Sequence, residues 1–350
     1  YIQLIYVSSE SIIIFMKNIW KIIMAAAVFI SICGCSRVTP SSTKYIAQGY
    51  ALNTYVKVTL YGSGSDEIAG RAVDMCSEYE RIFSCTDEDS MLYRLNNAGS
   101  LTRKEAADDK GFDELTALVR SGIEYGKLTD GALDITIEPV SSLWKFGTDE
   151  AALPDAGQIA DALTKVDYSK IEVTDDFIEL NGCRLDLGAT AKGYIAGKIC
   201  DYLKKEGVTG AIVDLGGNIS CIGTKADGTG FTVGIKKPFD EEGQMSLALD
   251  LSDMNIVTSG VYERYFYDND ILYHHILNPA TGYPCENGLL SVTVISADAA
   301  QCDALSTGCF VLGMDKAKDL VEGLDGVYAV FIDDNSVSYT HLTLPTILRV

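Results

Sequence analysis

Residues 185–193, reading Leu-Asp-Leu-Gly-Ala-Thr-Ala-Lys-Gly, constrain this chain more than any other stretch. Leu185 and Leu187 alternate with Asp186, which predicts a strand. Gly188 predicts a sharp bend or a close approach of backbone to ligand, because it has no Cβ. Ile195, Ile199 and Leu203 then recur every fourth residue and predict a helix with one apolar face. Gly207 is its expected stop, and Lys204 and Lys205 suit the negative end of its dipole. A second apolar strand is predicted over 211–215, ending in Gly216-Gly217. A glycine corner at a helix N-terminus is a ready anion site, since free N–H groups and the dipole both favour negative charge. Lys192 adds a full positive charge, and Asp186 can accept hydrogen bonds from a sugar or base. The segment therefore reads as a site for a phosphate-bearing ligand. An ordinary strand-to-helix corner with a solvated lysine has the same pattern. Neither Gly-x-Gly-x-x-Gly nor Gly-x-x-x-x-Gly-Lys-Ser/Thr occurs here.

The formal net charge of −21 argues against nucleic acid as a partner, because phosphate-backbone binding needs clustered cations. It fits an exported, soluble surface. The N-terminal region reads as a targeting signal. Met16, Lys17 and Lys21 make a positive start, and residues 22–32 form an apolar run short for a membrane span. Ile32-Cys33-Gly34-Cys35 resembles the lipobox of bacterial lipoproteins, with Cys35 as the lipidated residue; a buried apolar strand or helix is the alternative. Residues 1–35 are thus read as upstream residues plus signal peptide, and 36–44 as a polar tether. Residues 45–337 read as one domain, and 338–350 as a non-native tail that does not continue a final strand. Eight cysteines lie outside the signal region without Cys-x-x-Cys pairing, and several sit in apolar runs. They are predicted to be free and buried, with disulfides as the other reading, while the spacing and the 3 histidines argue against zinc.

Helices are predicted over 65–83, 90–96, 112–129, 154–165 and 298–314, and strands over 45–61, 170–173, 177–180, 231–235, 246–251 and 290–295. Residues 261–267 and 271–277 predict a hairpin about Asp268-Asn269-Asp270. Residues 129–147 follow neither helical nor strand register and read as a shaped loop, either for binding or for packing beside Trp144. Residues 255–260 end in Thr258-Ser259-Gly260, with hydroxyls expected at a turn. Asp303 and Thr307 are four apart, so they share a helix face, and their hard oxygens suit Mg²⁺. A helix acid beside a back-bonded threonine is the alternative. His275 ends a strand and enters a proline-glycine turn, which favours an exposed ring, and His274 points to the opposite face.

Together these pieces resemble the ApbE family, the FAD:protein FMN transferases, over residues 49–331. The resemblance rests on ordered motifs at residues 129–146, 186–194, 214–218, 258–264, 275–284 and 303–307. It implies an α+β fold, an ApbE-like single domain of mixed strands and helices with a central FAD cleft. It implies FAD contacts from Leu52 (in Leu52-Asn53-Thr54, where the family has Met-Gly-Thr), Ala132, Leu133, Asp134, Asp186, Lys192, Thr258, Ser259, Gly260 and His275. It implies Mg²⁺ held by the Ala189 carbonyl, Asp303 and Thr307, and His275 as the base. The implied reaction moves FMN from FAD to a threonine or serine of an acceptor protein, releasing AMP. The acceptor would belong to a membrane redox complex or be an exported flavoprotein, met on the extracytoplasmic side of the cell membrane by a lipid-anchored enzyme. Hydrolysis of FAD to FMN and AMP, or flavin binding without transfer, are the other readings. One expectation is testable at once: radioactive fatty acid should label the protein in cells, and Cys35→Ser should abolish the label. Unchanged labelling of Cys35→Ser would refute the anchor.

Overall fold

The computed structural model describes residues 43–240, 242–334 and 337–340. The expected signal region, Cys35, residues 36–42 of the tether and residues 341–350 lie outside the described residues. The chain opens with the hairpin β1 (Lys44–Ala51) and β2 (Thr54–Tyr61). Then come α1 (Asp66–Phe83), α2 (Met91–Ala98), β3 (Ser100–Thr102), α3 (Arg103–Ala106) and α4 (Asp109–Leu128). Next are α5 (Glu138–Trp144), α6 (Ala156–Leu163), a 3-10 turn at Tyr168–Lys170, β4 (Glu172–Val173) and β5 (Phe177–Glu179). After α7 (Ala191–Lys205) run β6 (Gly210–Leu215), β7 (Asn218–Gly223), β8 (Phe231–Lys236), β9 (Met245–Leu251) and β10 (Asn255–Gly260). The chain continues through β11 (Tyr265–Asp268), β12 (Ile271–His274), β13 (Leu289–Ser296), α8 (Ala299–Leu312), α9 (Met314–Glu322), β14 (Tyr328–Asp333) and β15 (Val337–Thr340).

One antiparallel sheet, in the order β1-β2-β6-β7-β10-β13-β14-β15, carries the architecture. Both of its faces are covered. On one face α1 and α7 pack against β1, β2 and β6 through Val58, Leu60, Ala72, Cys76, Ile195 and Ile199. On the same side α8 and α9 cover β10, β13 and β14 through Val257, Val294, Cys309, Phe310 and Phe331. The hairpin β8–β9 closes the other face with Phe231, Val233, Leu249, Ile256 and Ile295. This double cover explains why β13 is buried at almost every position. It also explains why α8 is apolar nearly all round: sheet, α7 and α9 enclose it. No helix among the described residues is long and apolar enough to cross a membrane. The α+β fold implied by the sequence is the one observed.

Several local expectations change. Residues 185–187 join no strand ladder. The Asn96 side chain serves them instead, donating to Leu185 O at 2.8 Å and accepting from Leu185 N at 2.7 Å. One amide side chain offers the donor and acceptor that a neighbouring strand would, and Asp186 N–H goes to Ile135 O at 2.8 Å. Residues 129–147 are not loop throughout, since α5 occupies Glu138–Trp144 with Pro139 in its first turn. Thr258 to Gly260 lie inside β10 rather than at a turn. The hairpin β11–β12 is shorter than expected, and Asn269 and Asp270, at φ 48 and 64, form its two-residue turn. Residues 338–340, expected in a non-native tail, continue the sheet as part of β15 against β14. Pairing at a sheet edge uses backbone groups that any sequence supplies, and buried Thr340 accepts from Ala329 N. All eight cysteines outside the signal region are free, and seven of them are buried.

Trp144 anchors a satellite core with Val140, Ile159, Ala162 and Leu277. It stacks on Phe146 at 5.5 Å and donates its indole N–H to Gly282 O at 2.9 Å. Trp144→Ala is expected to lower unfolding free energy by about 3–5 kcal/mol, the cost of emptying such a site. Urea denaturation checks this, and a loss below about 1 kcal/mol would show that the satellite core does not depend on the indole.

Candidate functional site

The site forms where α7 begins. Thr190 caps α7 without a side-chain cap bond, and its hydroxyl turns back to Leu187 O at 3.2 Å. Ala191 N–H also bonds Leu187 O, at 2.8 Å. Gly193 N–H is taken by Asp303 Oδ2 of α8 at 2.8 Å. The first turn is therefore capped by the protein's own carboxylate. The N–H groups expected to receive an anion are partly spent, and the Lys192 ammonium is the main positive group left there. Gly188 keeps an ordinary φ, and its N–H closes a turn on Asp186 Oδ1 at 2.9 Å. The need for glycine lies at Gly193 instead. A Cβ there would sit 2.3 Å from Ala299 O and 2.5 Å from Asp303 Cβ, so only glycine lets α7 and α8 cross this closely.

Other contacts hold α7 in place. Tyr194, next to Gly193, donates its hydroxyl to Glu114 of α4 at 2.5 Å. Glu114 also takes the Lys198 ammonium at 2.9 Å and the Tyr79 hydroxyl at 3.4 Å. Arg184 pairs with Glu138 at 2.7 Å and donates to Asn96 O at 3.1 Å, which ties the segment before α7 to α2 and α5.

Asp303 is 3% exposed inside an apolar helix. Its Oδ2 is held by Gly193, and no hydrogen bond reaches Oδ1 from the described residues. One turn on, the Thr307 hydroxyl lies 3.0 Å from Ser259 Oγ, which also meets Ser306 Oγ at 2.8 Å. Ser259 shares the helix-covered face of β10 with Val257. Thr258 alternates to the other face, with Ile256, and pairs with the Thr293 hydroxyl at 2.8 Å. The structure thus brings Ser259 to the Asp303–Thr307 pair and turns Thr258 away. Gly260 is needed for packing, since a Cβ would lie 2.7 Å from the Tyr262 ring.

The 129–137 loop bridges α8 and the 185–187 segment. Thr129 Oγ1 donates to Tyr125 O at 2.8 Å and accepts from Leu133 N at 3.0 Å. Gly308, beside Thr307, abuts Thr129 and Leu133, which sets buried Leu133 against α8, while its neighbour Ala132 is half-buried. Asp134 turns inward: Oδ1 accepts from Thr136 N at 2.8 Å and Thr136 Oγ1 at 2.6 Å, and Oδ2 from Tyr168 N at 3.2 Å. Its carboxylate braces the loop, and burial raises its pKa. Asp186 is half-buried, with Oδ2 taking the Ser141 hydroxyl at 2.9 Å. Leu52 holds φ 55 in the β1–β2 turn, packs on the core, and donates its N–H to Glu80 at 3.1 Å. That turn rests on the β6–β7 turn, where Thr54 meets Gly216.

His275 is not the exposed ring that its turn context favours. The ring is half-buried, and its Nδ1 is fully enclosed without a hydrogen-bond partner. Burial pushes its pKa down to about 3, and the positive charges of Arg264 and Lys192 and the neighbouring His274 push the same way. Its backbone N–H bonds Arg264 O at 3.1 Å. His274 does take the opposite face, where Nε2 meets Cys285 O at 3.1 Å and the ring lies edge-on to Phe310 at 5.8 Å. Two residues outside the expected set belong here. Arg264, in the 258–264 motif, acts on His275 through its charge. Asn218, at the end of the 214–218 motif, contacts Lys192 Nζ at 3.3 Å. Both stood inside recognised motifs; what periodicity lacked was any sign of which side chains face inward.

Asp303 and Thr307 offer hard oxygens one turn apart on α8, and together with the Ala189 carbonyl they would make a donor set with a single charge. Among the described residues no group of three His, Cys, Asp or Glu could hold a metal. That set fits Mg²⁺, which keeps waters and shares itself with substrate phosphates, and fits zinc poorly. The chain as a whole is strongly acidic, yet the charges of Lys192 and Arg264 reach the His275 ring.

Replacing Gly193 tests the crossing against a matched control. Gly197 lies one turn on in the same helix with nothing within 4 Å of a built Cβ. Gly197→Ala is expected to stabilise by about 0.4–1 kcal/mol, through helix propensity and unfolded-state entropy. Gly193→Ala is expected to destabilise by about 1–3 kcal/mol or more, as overpacking does. Equal effects in chemical denaturation would show that the crossing tolerates a methyl group.

The ApbE family profile matches residues 52–332. A curated protein of Treponema pallidum (strain Nichols), named FAD:protein FMN transferase, is 34% identical over 276 residues, covering 74% of this chain and 75% of the relative. One of Klebsiella pneumoniae (strain 342), with the same name, is 32% identical over 295 residues, covering 83% and 90%. Among solved structures, the Thermotoga maritima ApbE protein superposes with a TM-score of 0.76 at 28% identity, covering 85% of this chain and 97% of that one. The Pseudomonas stutzeri flavinyl transferase ApbE, in its apo form, gives 0.73 at 26% identity, covering 85% and 95%. With its motifs, its fold and a profile match spanning most of its length, the chain belongs to the ApbE family.

Proposed function

We propose that this protein transfers the FMN moiety of FAD to a hydroxyl of an acceptor protein, threonine or serine, and releases AMP, with Mg²⁺ as the required ion. The observation that carries the reading is the meeting of three chemistries at one corner. They are a cation (Lys192), a buried carboxylate–hydroxyl pair (Asp303, Thr307) and an enclosed imidazole without a hydrogen-bond partner on Nδ1 (His275). Lys192 and Arg264 attract the pyrophosphate and offset its charge. The 129–137 loop, packed on Gly308 beside Thr307, would border the flavin. Asp303, Thr307 and the Ala189 carbonyl are the groups that would hold Mg²⁺, which when bound neutralises charge on the phosphates. The acceptor oxygen attacks the phosphorus of the FMN half, the bond from that phosphorus to the bridging oxygen breaks, and AMP leaves. The hydroxyl proton passes to the lone pair of the neutral His275 ring. As in other phosphoryl transfers, positioning and electrostatics do most of the work. The lipobox at 32–35 supports placing the enzyme at the outer side of the cell membrane, near exported or membrane-bound acceptors.

The test is direct. Purified protein, FAD and Mg²⁺ are incubated with acceptor proteins bearing exposed threonines, and flavin on the acceptor and AMP in solution are measured. Equimolar AMP and acceptor-bound flavin are expected. Free FMN with AMP would assign hydrolysis instead, and intact FAD would leave flavin binding alone. His275→Ala is expected to keep FAD affinity and lose transfer by about 10²–10⁴-fold, the usual cost of a general base. His274→Ala should lower stability, because it removes a buried ring bonded to Cys285 O. A His275→Ala defect explained wholly by lost FAD affinity would remove the base assignment.

The pH profile is a second check. A pKa near 3 keeps His275 deprotonated at any pH well above 3. For the free enzyme, kcat/KM should therefore show no acid limb near 6.5 from this group, and activity should persist as pH falls towards 5. A limb centred near 6.5 that vanishes in His275→Ala would show an imidazole of ordinary basicity.

A further inference from the structure

Asn218 is the residue at this corner whose chemistry remains unused. It opens β7 directly after Gly216 and Gly217, whose φ values of 65 and 95 make a tight two-residue hairpin. Gly217 N–H is tied to Asp214 Oδ1 at 2.9 Å, and Thr54 packs on Gly216, so the turn is held firmly. The Asn218 side chain is 3% exposed. Its Oδ1 lies 3.3 Å from the Lys192 ammonium. An ammonium only donates, so the amide must present its oxygen to Lys192 and its nitrogen elsewhere. That nitrogen, Nδ2, is fully buried and has no hydrogen-bond partner among the described residues. Leaving a buried donor unpaired costs about 1–3 kcal/mol.

An aspartate at this position would hold Lys192 at least as well and leave no donor unpaired. It would also cancel the positive charge. Asparagine orients the ammonium, leaves its charge intact and sets an N–H donor a few ångströms from it. A cation beside a neutral donor suits adjacent oxygens of one anion, and Lys192 sits in the first turn of α7, where the dipole has the same sign. Another enclosed polar atom without a partner, His275 Nδ1, belongs to the ring that feels the Lys192 charge. We propose that Asn218 is a substrate-binding residue: its Oδ1 orients Lys192, and its Nδ2 donates to an oxygen of the pyrophosphate that Lys192 neutralises. This rests on the flavin-dinucleotide reading above.

The test measures affinity for FAD and for ADP, which carries a pyrophosphate without the flavin, in wild type, Asn218→Ala and Asn218→Asp. Asn218→Ala should weaken both ligands about 10-fold, the size of one hydrogen bond to a charged group. Asn218→Asp should weaken both by about 100-fold, since it removes the donor, neutralises Lys192 and faces the phosphates with a carboxylate. In a Lys192→Met background the Asn218→Ala loss should shrink, because the two residues act on one oxygen cluster. Thermal unfolding checks the variants, and Asn218→Ala decides if Asn218→Asp does not fold. Wild-type affinity of both variants for both ligands would overturn the proposal. So would a loss for FAD alone, which would put the amide on the flavin half. Asn218-dependent binding of ADP by a protein that does not bind FAD would uphold the anion contact and sink the transferase reading. Failure of the wild type to bind either ligand would sink both.

Discussion

The site depends on one crossing, where α7 and α8 meet at Gly193. A missing side chain lets the helices approach until the Asp303 carboxylate reaches the Gly193 N–H. That single bond does two jobs. It caps a helix whose own cap residue leaves the task undone, and it stabilises a carboxylate buried in an apolar helix. It also fixes Asp303 against the first turn of α7, with Thr307 one turn further along α8. Glu114, with its three partners, acts as the clamp that keeps α7 from rolling away from this contact.

Around that crossing the charges are sorted against the average. An acidic chain keeps Lys192 and Arg264 close to an enclosed imidazole, and their charges together with burial hold the ring neutral. An anionic ligand lying against Lys192 and Arg264 would offset the two charges that lower the ring's basicity. Two buried polar atoms of this corner, Asn218 Nδ2 and His275 Nδ1, have no hydrogen-bond partner among the described residues.

Much of this was legible in residue order. Periodicity located α1 and α7, because a helix buried on one side shows its spacing directly, and α8, apolar nearly all round, was still read as a helix over 298–314. The apolar runs of β6 and β13, the alternation of β9 and the Asp-Asn-Asp turn between β11 and β12 were equally plain. Motif order identified the family and singled out His275, while local spacing had already marked Lys192 and the Asp303–Thr307 pair. Segments without internal periodicity were less legible. Residues 185–187 look like a strand, yet Asn96, 89 residues away, takes the place of the neighbouring strand.

What the sequence alone determined was therefore local and chemical: which segments could bury an apolar face, which oxygens and cations lay within one motif, and that the surface would be acidic. What only the tertiary structure decided was direction. Ser259 and Thr258 are neighbours with similar hydroxyls, but the face of β10 covered by α8 selects Ser259 for the site and turns Thr258 to Thr293. Asp134 and Asp303 are both acids in family motifs, but the first is spent inside its own loop and the second faces α7. The physical reason is the same in each case. Side-chain direction is set by which surfaces pack together, and that packing joins residues too far apart in the chain for any local pattern to record.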